Sequence, residues 1–299
     1  MLHETYLTIM ALSYCSTFLL SYVAIKTCTK KTRHFTYYVL NIIVHHSLIT
    51  LLLTLFLQPE FLEEVLCFRI HGVVTLLPSS AINFFLTITV ALVATTFLSY
   101  VHISLYHLLS LRHRSLSAMM CSPKCFPAVC VVYVISAAMT FCVVYVSLYF
   151  ETQDSSDPRV ICFQAPFSSI MTLFGAVFVG VVTLVGLATI GCTVSVLHKS
   201  QTSIKKDIRG VMKSLVIFAL IPISMVAVPL CPVLVWSALT QRSSSFAITA
   251  NFCVFVATFE YTVMTCAAIL LIRPYNRATR RLVRLVVRRC AIVGVEQCF

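Results

Sequence analysis

The stretch ILLIRPYNRATRRLVRLVVRR, Ile269–Arg289, changes abruptly from apolar residues to arginines. A long apolar run precedes Arg273, and seven arginines occur between Arg273 and Arg289. A helix of about 20 apolar residues crosses the ~30 Å hydrocarbon core of a bilayer. The change in composition at Arg273 therefore predicts that the chain leaves a membrane there.

The whole chain has the composition of a membrane protein. Its 299 residues are 59% hydrophobic and 11% charged, whereas about 25% of the residues in a soluble domain are charged. Helices are the economical interpretation of long apolar runs without alternation, because lipid cannot satisfy exposed backbone groups. The predicted helices are residues 7–25, 37–57, 72–103, 126–149, 167–197, 214–239 and 246–272. We expect an all-α fold, in which residues 1–299 form one seven-helix transmembrane bundle with a tail at 273–299.

The distribution of cations predicts the orientation of this bundle. Of the 22 Lys and Arg residues, only Arg69, Arg159 and Arg242 fall in the loops after the second, fourth and sixth runs. Cytoplasmic loops carry the Lys and Arg excess of membrane proteins. The amino terminus is therefore expected outside and the carboxyl terminus inside. The net charge of +12 reflects this topology, and we expect no nucleic acid as a partner.

The 14 cysteines fall mostly within the predicted helices or on the reducing side of the membrane. Cys67 and Cys162 fall in the outer loops instead. Disulfides persist in oxidising compartments. We expect a bridge that holds the second outer loop over the bundle, with two free thiols as the alternative.

The sequence carries no motif of catalysis or cofactor binding. It lacks the glycine-rich phosphate and dinucleotide loops and the H-E-x-x-H zinc motif. The seventh run contains no lysine for a retinal Schiff base. We expect no enzyme activity, no cofactor and no metal site.

A few polar residues interrupt the apolar runs at similar depths. Glu260 in the seventh run and His45 and His46 in the second differ in depth by only about 4 to 5 Å. An ionised carboxylate within the bilayer costs a few kcal/mol unless it has a partner. We expect one histidine to contact Glu260, with Asn41 or Asn83 in the same network. The network would be a switch or a ligand anchor, or else a structural hydrogen bond between helices.

Two further features concern a binding pocket and a hinge. Prolines interrupt the sixth run and predict a kink that would serve as a hinge, because each proline removes a backbone hydrogen bond. The alternative is that membrane helices simply contain more proline than soluble ones. The prolines are Pro222, Pro229 and Pro232.

Aromatic residues of the third and seventh runs, Phe255 among them, are candidates to line an apolar pocket in the outer half of the bundle. Simple packing is the alternative for them.

The arginines after the seventh run predict an amphipathic helix. On a helical wheel one face collects Arg277, Arg280, Arg281, Arg284 and Arg288. Leucine and valine occupy the other face, so the segment is expected to lie along the membrane with arginines on anionic headgroups. Cys290 would then be placed for palmitoylation.

The third inner loop offers a second positive surface. Its cations include Lys205, Lys206 and Arg209. An acidic or helical cytosolic partner would fit between this loop and the arginines of the tail. The alternative is that the positive-inside rule alone explains both surfaces.

Three stretches resemble nematode serpentine chemoreceptors of the Str superfamily. KSLVIFALIPISMVAVPL (Lys213–Leu230) and ILLIRPYNRATRRL (Ile269–Leu282) look like the sixth and seventh helices of that family. AIKTCTKKTRHFTYYVLNI (Ala24–Ile42) resembles its first inner loop and second helix. The Pro274–Tyr275 pair occurs where the family's seventh helix ends.

This resemblance implies a chemosensory receptor of the plasma membrane, located in sensory cilia in that family. Such a receptor binds a small odorant or pheromone in the outer half of the bundle and signals through a heterotrimeric G protein. The residues expected to face the G protein are Tyr106, Arg112, Lys205, Lys206, Arg209, Pro274, Tyr275, Arg277, Arg280 and Arg281.

A ligand-gated channel and a small-molecule transporter are the rival classes. A seven-helix channel of the insect odorant-receptor type has its amino terminus inside, which the cation distribution opposes. A transporter often shows related halves with broken helices at matching positions. The two halves of this chain show no such similarity.

Overall fold

The computed structural model is a bundle of long helices with a small sheet at one end. It describes residues 2–29, 33–62, 67–112, 122, 124–151, 157, 159–162, 167–199, 216–229, 235 and 244–296. The helices are α1 (Leu2–Lys26), α2 (Arg33–Leu51), α3 (Ser79–Arg112), α4 (Phe126–Glu151), α5 (Phe167–Lys199), α6 (216–229), α7 (Ser244–Leu271) and α8 (Arg273–Glu296). The strands are β1 (Pro59–Phe61), β2 (Cys67–Ile70) and β3 (Val160–Cys162).

Six helices within the described part of the chain are long and apolar enough to cross a membrane. They cover Glu4–Lys26, Phe35–Leu57, Ser80–Leu109, Phe126–Val146, Gly175–Cys192 and Ala247–Leu271. These correspond to six of the seven predicted runs, so the protein is a multi-pass helical membrane protein. The predicted run at 214–239 lies partly outside the described residues. A seventh span and the orientation of the bundle stay predictions.

The start of α3 differs from the prediction. The apolar run was expected to be helical from residue 72, but α3 begins at Ser79 because Pro78 interrupts it. The residue before a proline is disfavoured in the helical region, and Leu77 is extended, with φ −102° and ψ 166°. The carbonyl of Pro78 then accepts a bond from the Ala81 amide at 2.8 Å, which starts the helix. At 34 residues, α3 is about 51 Å long.

The end of α2 redirects the chain towards the sheet. Residues Leu52–Leu57 continue α2 as a π-helix, which ends at the buried Gln58. Gln58 has φ 47° and ψ 61°, a left-handed conformation that is uncommon outside glycine. Its side-chain amide donates to the Thr54 carbonyl at 2.8 Å, which holds this turn in place. The chain therefore leaves the helix in a defined direction and enters β1.

The mostly helical structure agrees with the predicted all-α bundle, to which the structure adds one small sheet. Its three antiparallel strands are ordered β1-β2-β3, so β2 lies in the middle. Below it, an apolar cluster that includes Leu57, Phe68, Ile70 and Ile82 joins the sheet to the helices. We call this three-stranded structure the lid. Strands of three or four residues are too short to produce a recognisable alternation.

The main core lies between the helices, towards the end of the bundle that carries α8. Buried residues of α1, α2, α3, α5, α6 and α7 form one apolar cluster, and Tyr275 at the start of α8 belongs to it. Among the spans, α3 has the largest buried share and α4 the smallest. The central position of α3 brings its polar residues against α2 on one side and α7 on the other.

Candidate functional site: a buried polar network

Three ionisable side chains from three helices meet inside the bundle. Glu260 of α7 is only 1% exposed, and its Oε1 accepts a hydrogen bond from the Tyr100 hydroxyl of α3 at 3.3 Å. His46 of α2 hydrogen-bonds the same hydroxyl through Nε2, and that nitrogen lies 3.8 Å from Glu260 Oε2. We call Glu260, Tyr100 and His46 the central triad. It joins α2, α3 and α7 through side chains alone.

Helical spacing explains why these groups face one another. On α7, Glu260, Met264 and Ala268 recur every four residues and are all buried, so they form one inward face. The Tyr100 hydroxyl also lies 3.8 Å from the Met264 sulfur. Tyr261 stacks on the His46 ring, with centroids 4.6 Å apart and planes inclined by 15°. The triad is therefore enclosed by aromatic and sulfur atoms rather than by water-facing groups.

A second set of polar groups extends from the triad to α4. The Asn41 amide of α2 donates to Ser99 Oγ at 3.1 Å, and the Tyr133 hydroxyl of α4 donates to the same oxygen at 3.0 Å. Because Ser99 precedes Tyr100, both sets share one turn of α3. His45 belongs to this side, since its Nδ1 contacts the Asn41 carbonyl at 2.9 Å.

The triad restricts where its protons can be. The Tyr100 hydroxyl has one proton but two neighbouring acceptors, Glu260 Oε1 and His46 Nε2. When Tyr100 donates to the carboxylate, His46 must donate through Nε2 to the phenol oxygen. When Tyr100 donates to the imidazole, the carboxyl group must carry a proton to keep its bond. The network thus has two arrangements that differ in proton position.

A small cavity lies beside the triad. It measures about 20 Å³, which is room for about one water molecule. Residues of α3, α5 and α6 line the cavity, and they are Phe97, Tyr100, Val101, Ser104, Gly186, Pro222, Ile223 and Ala227. On α6, Pro222 lies between two π-helical stretches, Val216–Leu220 and Ile223–Ala227. A region of irregular helical hydrogen bonding therefore adjoins Tyr100.

The structure brings together some of the predicted ligand or switch residues and separates others. It places His46, not His45, against Glu260, and it connects Asn41 to the neighbouring set through Ser99. Asn83 lies 17 positions before Tyr100 on α3, about 25 Å away along the helix. Phe255 is 42% exposed and stacks on Phe259. Neither Asn83 nor Phe255 belongs to the network.

Tyr100, Ser99 and Tyr133 were missed by the sequence reasoning. Tyrosine and serine are common in membrane helices, and an amphipathic tyrosine in an apolar run suggests a position near the interface. The depth of these three residues within the predicted membrane helices was the signal by which they could have been found. Tyr100 lies within the third run at a level that the histidines of the second run also reach.

The lid contains the cysteines for which a bridge was predicted. Cys67 is disulfide-bonded, and the residue directly opposite it in the β2–β3 pairing is Cys162. The side chain of Cys162 lies outside the described residues. The backbone register therefore places the two predicted partners opposite each other in the lid.

The residues predicted to face a G protein have different environments. Tyr275 is 3% exposed and packs into the main core. Burial raises the pKa of its hydroxyl above the usual range, with the Cys28 thiol adding to the effect. It therefore anchors α8 and does not present its ring to a partner. Tyr106 packs beside Tyr38, with ring centroids 4.9 Å apart.

The predicted cations of this surface are only partly described. On α8, Arg277, Arg280 and Arg281 are exposed beside Pro274. Lys205, Lys206 and Arg209 lie outside the described residues. The side chains of Arg112, the last residue of α3, and of Cys290 in α8 also lie outside them.

Comparison of the sequence with protein-family models and with curated proteins finds no match. Within the described residues, no group of three or more His, Cys, Asp or Glu side chains is arranged to hold a metal ion. The resemblance to nematode chemoreceptors therefore stays a prediction.

Proposed function

We propose that the protein is a chemosensory receptor with seven membrane helices. It binds a small molecule in the half of the bundle that carries the lid and signals through a G protein at the face that carries α8. The observation that carries this proposal is the central triad, in which the carboxylate of one helix contacts a phenol and an imidazole from two others.

The triad has the properties of a switch between two helix packings. Each of its groups comes from a different helix, so a small displacement of α7 changes the contacts of Glu260 with Tyr100 and His46. Charged and polar groups within a membrane are costly when they lack partners. The three helices are therefore expected to adopt one of two discrete arrangements in preference to a continuous range of positions. A ligand shifts the population between them by its difference in affinity for the two states.

Contacts at the lid connect a binding event to the triad. The side-chain amide of Asn251 on α7 accepts from the Phe61 amide at 2.9 Å and donates to the Phe61 carbonyl at 3.0 Å. Asn251 and Glu260 are nine positions apart on one helix, which is about 14 Å. Ligand contacts that displace the lid or the neighbouring turn of α7 therefore act on the helix that carries Glu260.

The other end of α7 leads directly to the surface proposed for signalling. Only Ile272 separates α7 from α8. The arginines of α8 whose side chains are described are exposed, and they are Arg273, Arg277, Arg280, Arg281 and Arg284. The buried Tyr275 fixes the start of this helix in the core. A displacement of α7 is thereby transmitted to a positively charged surface that suits an acidic partner.

The test is the replacement Glu260→Gln in cells that report calcium and cAMP. Glutamine keeps the shape of the side chain but removes the titrating carboxyl group. We expect basal signalling and the response to a panel of small volatile and secreted compounds to change at least about fivefold, with surface expression preserved. The control is Thr258→Val, because Thr258 is also buried on α7 but bonds only the Val254 carbonyl of its own helix. Equal effects of both replacements would refute the switch.

The orientation is tested separately with epitope tags at both termini, stained before and after permeabilisation. The receptor requires an accessible amino-terminal tag and a protected carboxyl-terminal tag on intact cells. The reverse result would contradict coupling to a cytosolic G protein.

A proton-coupled transporter is the second candidate, and the same triad supports it. A carboxylate, a phenol and an imidazole in contact can pass a proton between them, and intramembrane relays use such groups. Purified protein in liposomes would then acidify or alkalinise the lumen when a substrate gradient is applied. Flux that is lost in Glu260→Gln, together with the absence of G-protein activation, would favour this candidate.

A further inference from the structure

An open cleft of about 350 Å³ lies at the junction of α7 and α8. It is lined by Leu270, Leu271, Arg273, Asn276, Arg277 and Arg280. We propose that this cleft binds a membrane lipid whose headgroup ends in a phosphate monoester, as in phosphatidic acid. The arginines hold the phosphate and the leucines contact the first part of the acyl chains.

The cleft has a defined shape because Asn276 fixes the bend between the two helices. The Asn276 side-chain amide donates to the Leu270 carbonyl at 3.2 Å, and its backbone amide donates to the Ile272 carbonyl at 3.0 Å. These bonds satisfy carbonyls at the end of α7 that would otherwise lack partners. Tyr275 is buried in the main core. The first turn of α8 is therefore held by Tyr275 as well as by Asn276.

The charge of the cleft suits a phosphate monoester. Arg273, Arg277 and Arg280 occupy one face of α8 at a spacing of four and three residues, and all three are exposed. Among the ion pairs of the described residues, which involve Glu260, Asp157 and Glu60, none includes these arginines. A phosphate monoester carries about −1.5 to −2 charges and accepts bidentate bonds from guanidinium groups. Three unpaired arginines therefore match its charge and its geometry.

The apolar part of the cleft selects a lipid over a free phosphate ion. Leu270 and Leu271 are 67% and 39% exposed, and they form the last turn of the span Ala247–Leu271. Leucines at this level contact the acyl boundary of the bilayer, while arginines one turn further reach the headgroups. A ligand that fills both parts must carry a phosphate and a hydrocarbon chain together.

This inference does not rest on the proposed receptor function. It requires only that α7 cross a membrane, so it would hold equally for a transporter. Its test also needs no signalling partner, because it measures lipid binding by the purified chain.

The experiment compares two variants that each lose two positive charges from α8. Arg273→Gln with Arg277→Gln removes cleft arginines, whereas Arg281→Gln with Arg284→Gln removes exposed arginines that do not line the cleft. Full-length protein in phosphatidylcholine nanodiscs is titrated with fluorescent short-chain phosphatidic acid. We expect the cleft variant to bind about tenfold more weakly or worse, and the control variant to change less than about twofold.

Three further measurements make the result specific. The double replacement of Arg273 and Arg277 by lysine keeps the charge but loses the bidentate geometry, and we expect a loss of about threefold or more. It also guards against misfolding of the glutamine variant, which is checked by size-exclusion chromatography. Phosphatidylserine and millimolar inorganic phosphate should not displace the probe. Equal losses in the cleft and control variants, displacement by either competitor, or a lysine variant equal to the parent would overturn the proposal.

Discussion

Asn251 and Glu260 are both polar residues of α7, but their partners differ in kind. Asn251 bonds the backbone of Phe61 in the lid, through both its amide nitrogen and its amide oxygen. Glu260 accepts a bond from the Tyr100 hydroxyl of α3 and lies 3.8 Å from the His46 imidazole of α2, and both partners have rotamers and protons of their own. A bond to backbone in a sheet fixes one geometry, whereas bonds among titratable side chains permit more than one. The first residue therefore supports the fold, and the second is the better candidate for a switch.

The largest effect should come from breaking the covalent support of the lid. Loss of a native disulfide typically costs about 2 to 5 kcal/mol. We expect Cys67→Ser to lower the free energy of unfolding by an amount in this range, measured as thermostability of the detergent-solubilised protein. Cys142→Ser removes an exposed free thiol of α4 and serves as the control. If Cys67→Ser proved as stable as Cys142→Ser, the disulfide would not stabilise the fold and the prediction would be wrong.

The next effect should come from separating α7 from the lid. In Asn251→Ala, both Phe61 backbone groups lose a side-chain partner. A fully buried unsatisfied group costs about 1 to 3 kcal/mol, but this site is only partly buried, so water replaces part of each lost bond and the total cost falls below that of losing the disulfide. We expect thermostability to fall by less than in Cys67→Ser and by more than in the exposed control Ile248→Ala. Undiminished stability would show that the Asn251 bonds do not hold the lid.

A smaller effect is expected at the triad. Hydrogen bonds between membrane helices average about 0.6 kcal/mol and reach about 1.7 kcal/mol. Tyr100→Phe removes a hydroxyl that contacts Glu260, His46 and the Met264 sulfur, while Tyr133→Phe removes one that donates to Ser99. We expect both variants to lose little stability, with the greater loss for Tyr100→Phe. Basal activity in the calcium and cAMP assay should change in Tyr100→Phe alone. Identical behaviour of the two would contradict a special role for the triad.

The smallest effect on stability should occur in Glu260→Gln, which preserves volume and one hydrogen bond. We expect a change within about 1 kcal/mol, combined with the large change in signalling described above. A large change in signalling without a large loss of stability would distinguish Glu260 from Asn251. A Glu260→Gln protein as unstable as Asn251→Ala would assign Glu260 to the support of the fold.

The membrane helices and the depth of the triad could be predicted from the sequence. Apolar length defines a span, and counting residues from the ends placed His46 and Glu260 at one level. The choice of His46 over His45 could not be made, because it depends on the rotation of α2 against α7. Tyr100 completes the triad, and its depth in the third run was the one signal that pointed to Glu260; the rotation of α3 that turns its hydroxyl inward could not be predicted.

The lid shows where local patterns fail. Its strands take their direction from the left-handed Gln58 and from the extended Leu77 before Pro78, and its register depends on chain segments that are far apart in sequence. A proline within an apolar run was a visible signal, and it could have placed the start of α3 at Ser79. The pairing of β2 with β3 had no comparable signal beyond the two cysteines.

The single residue between α7 and α8 has a mechanical consequence. With 24 residues, α8 is a rod about 36 Å long, and Asn276 and Tyr275 clamp its root. Because a single residue joins the two helices, a roll of α7 about its own axis would carry the first turn of α8 with it. The ring of Tyr275 would then shift within the main core. A movement that begins at Glu260 would therefore reach α8 together with a change in core packing, as the proposed switch between two helix packings requires.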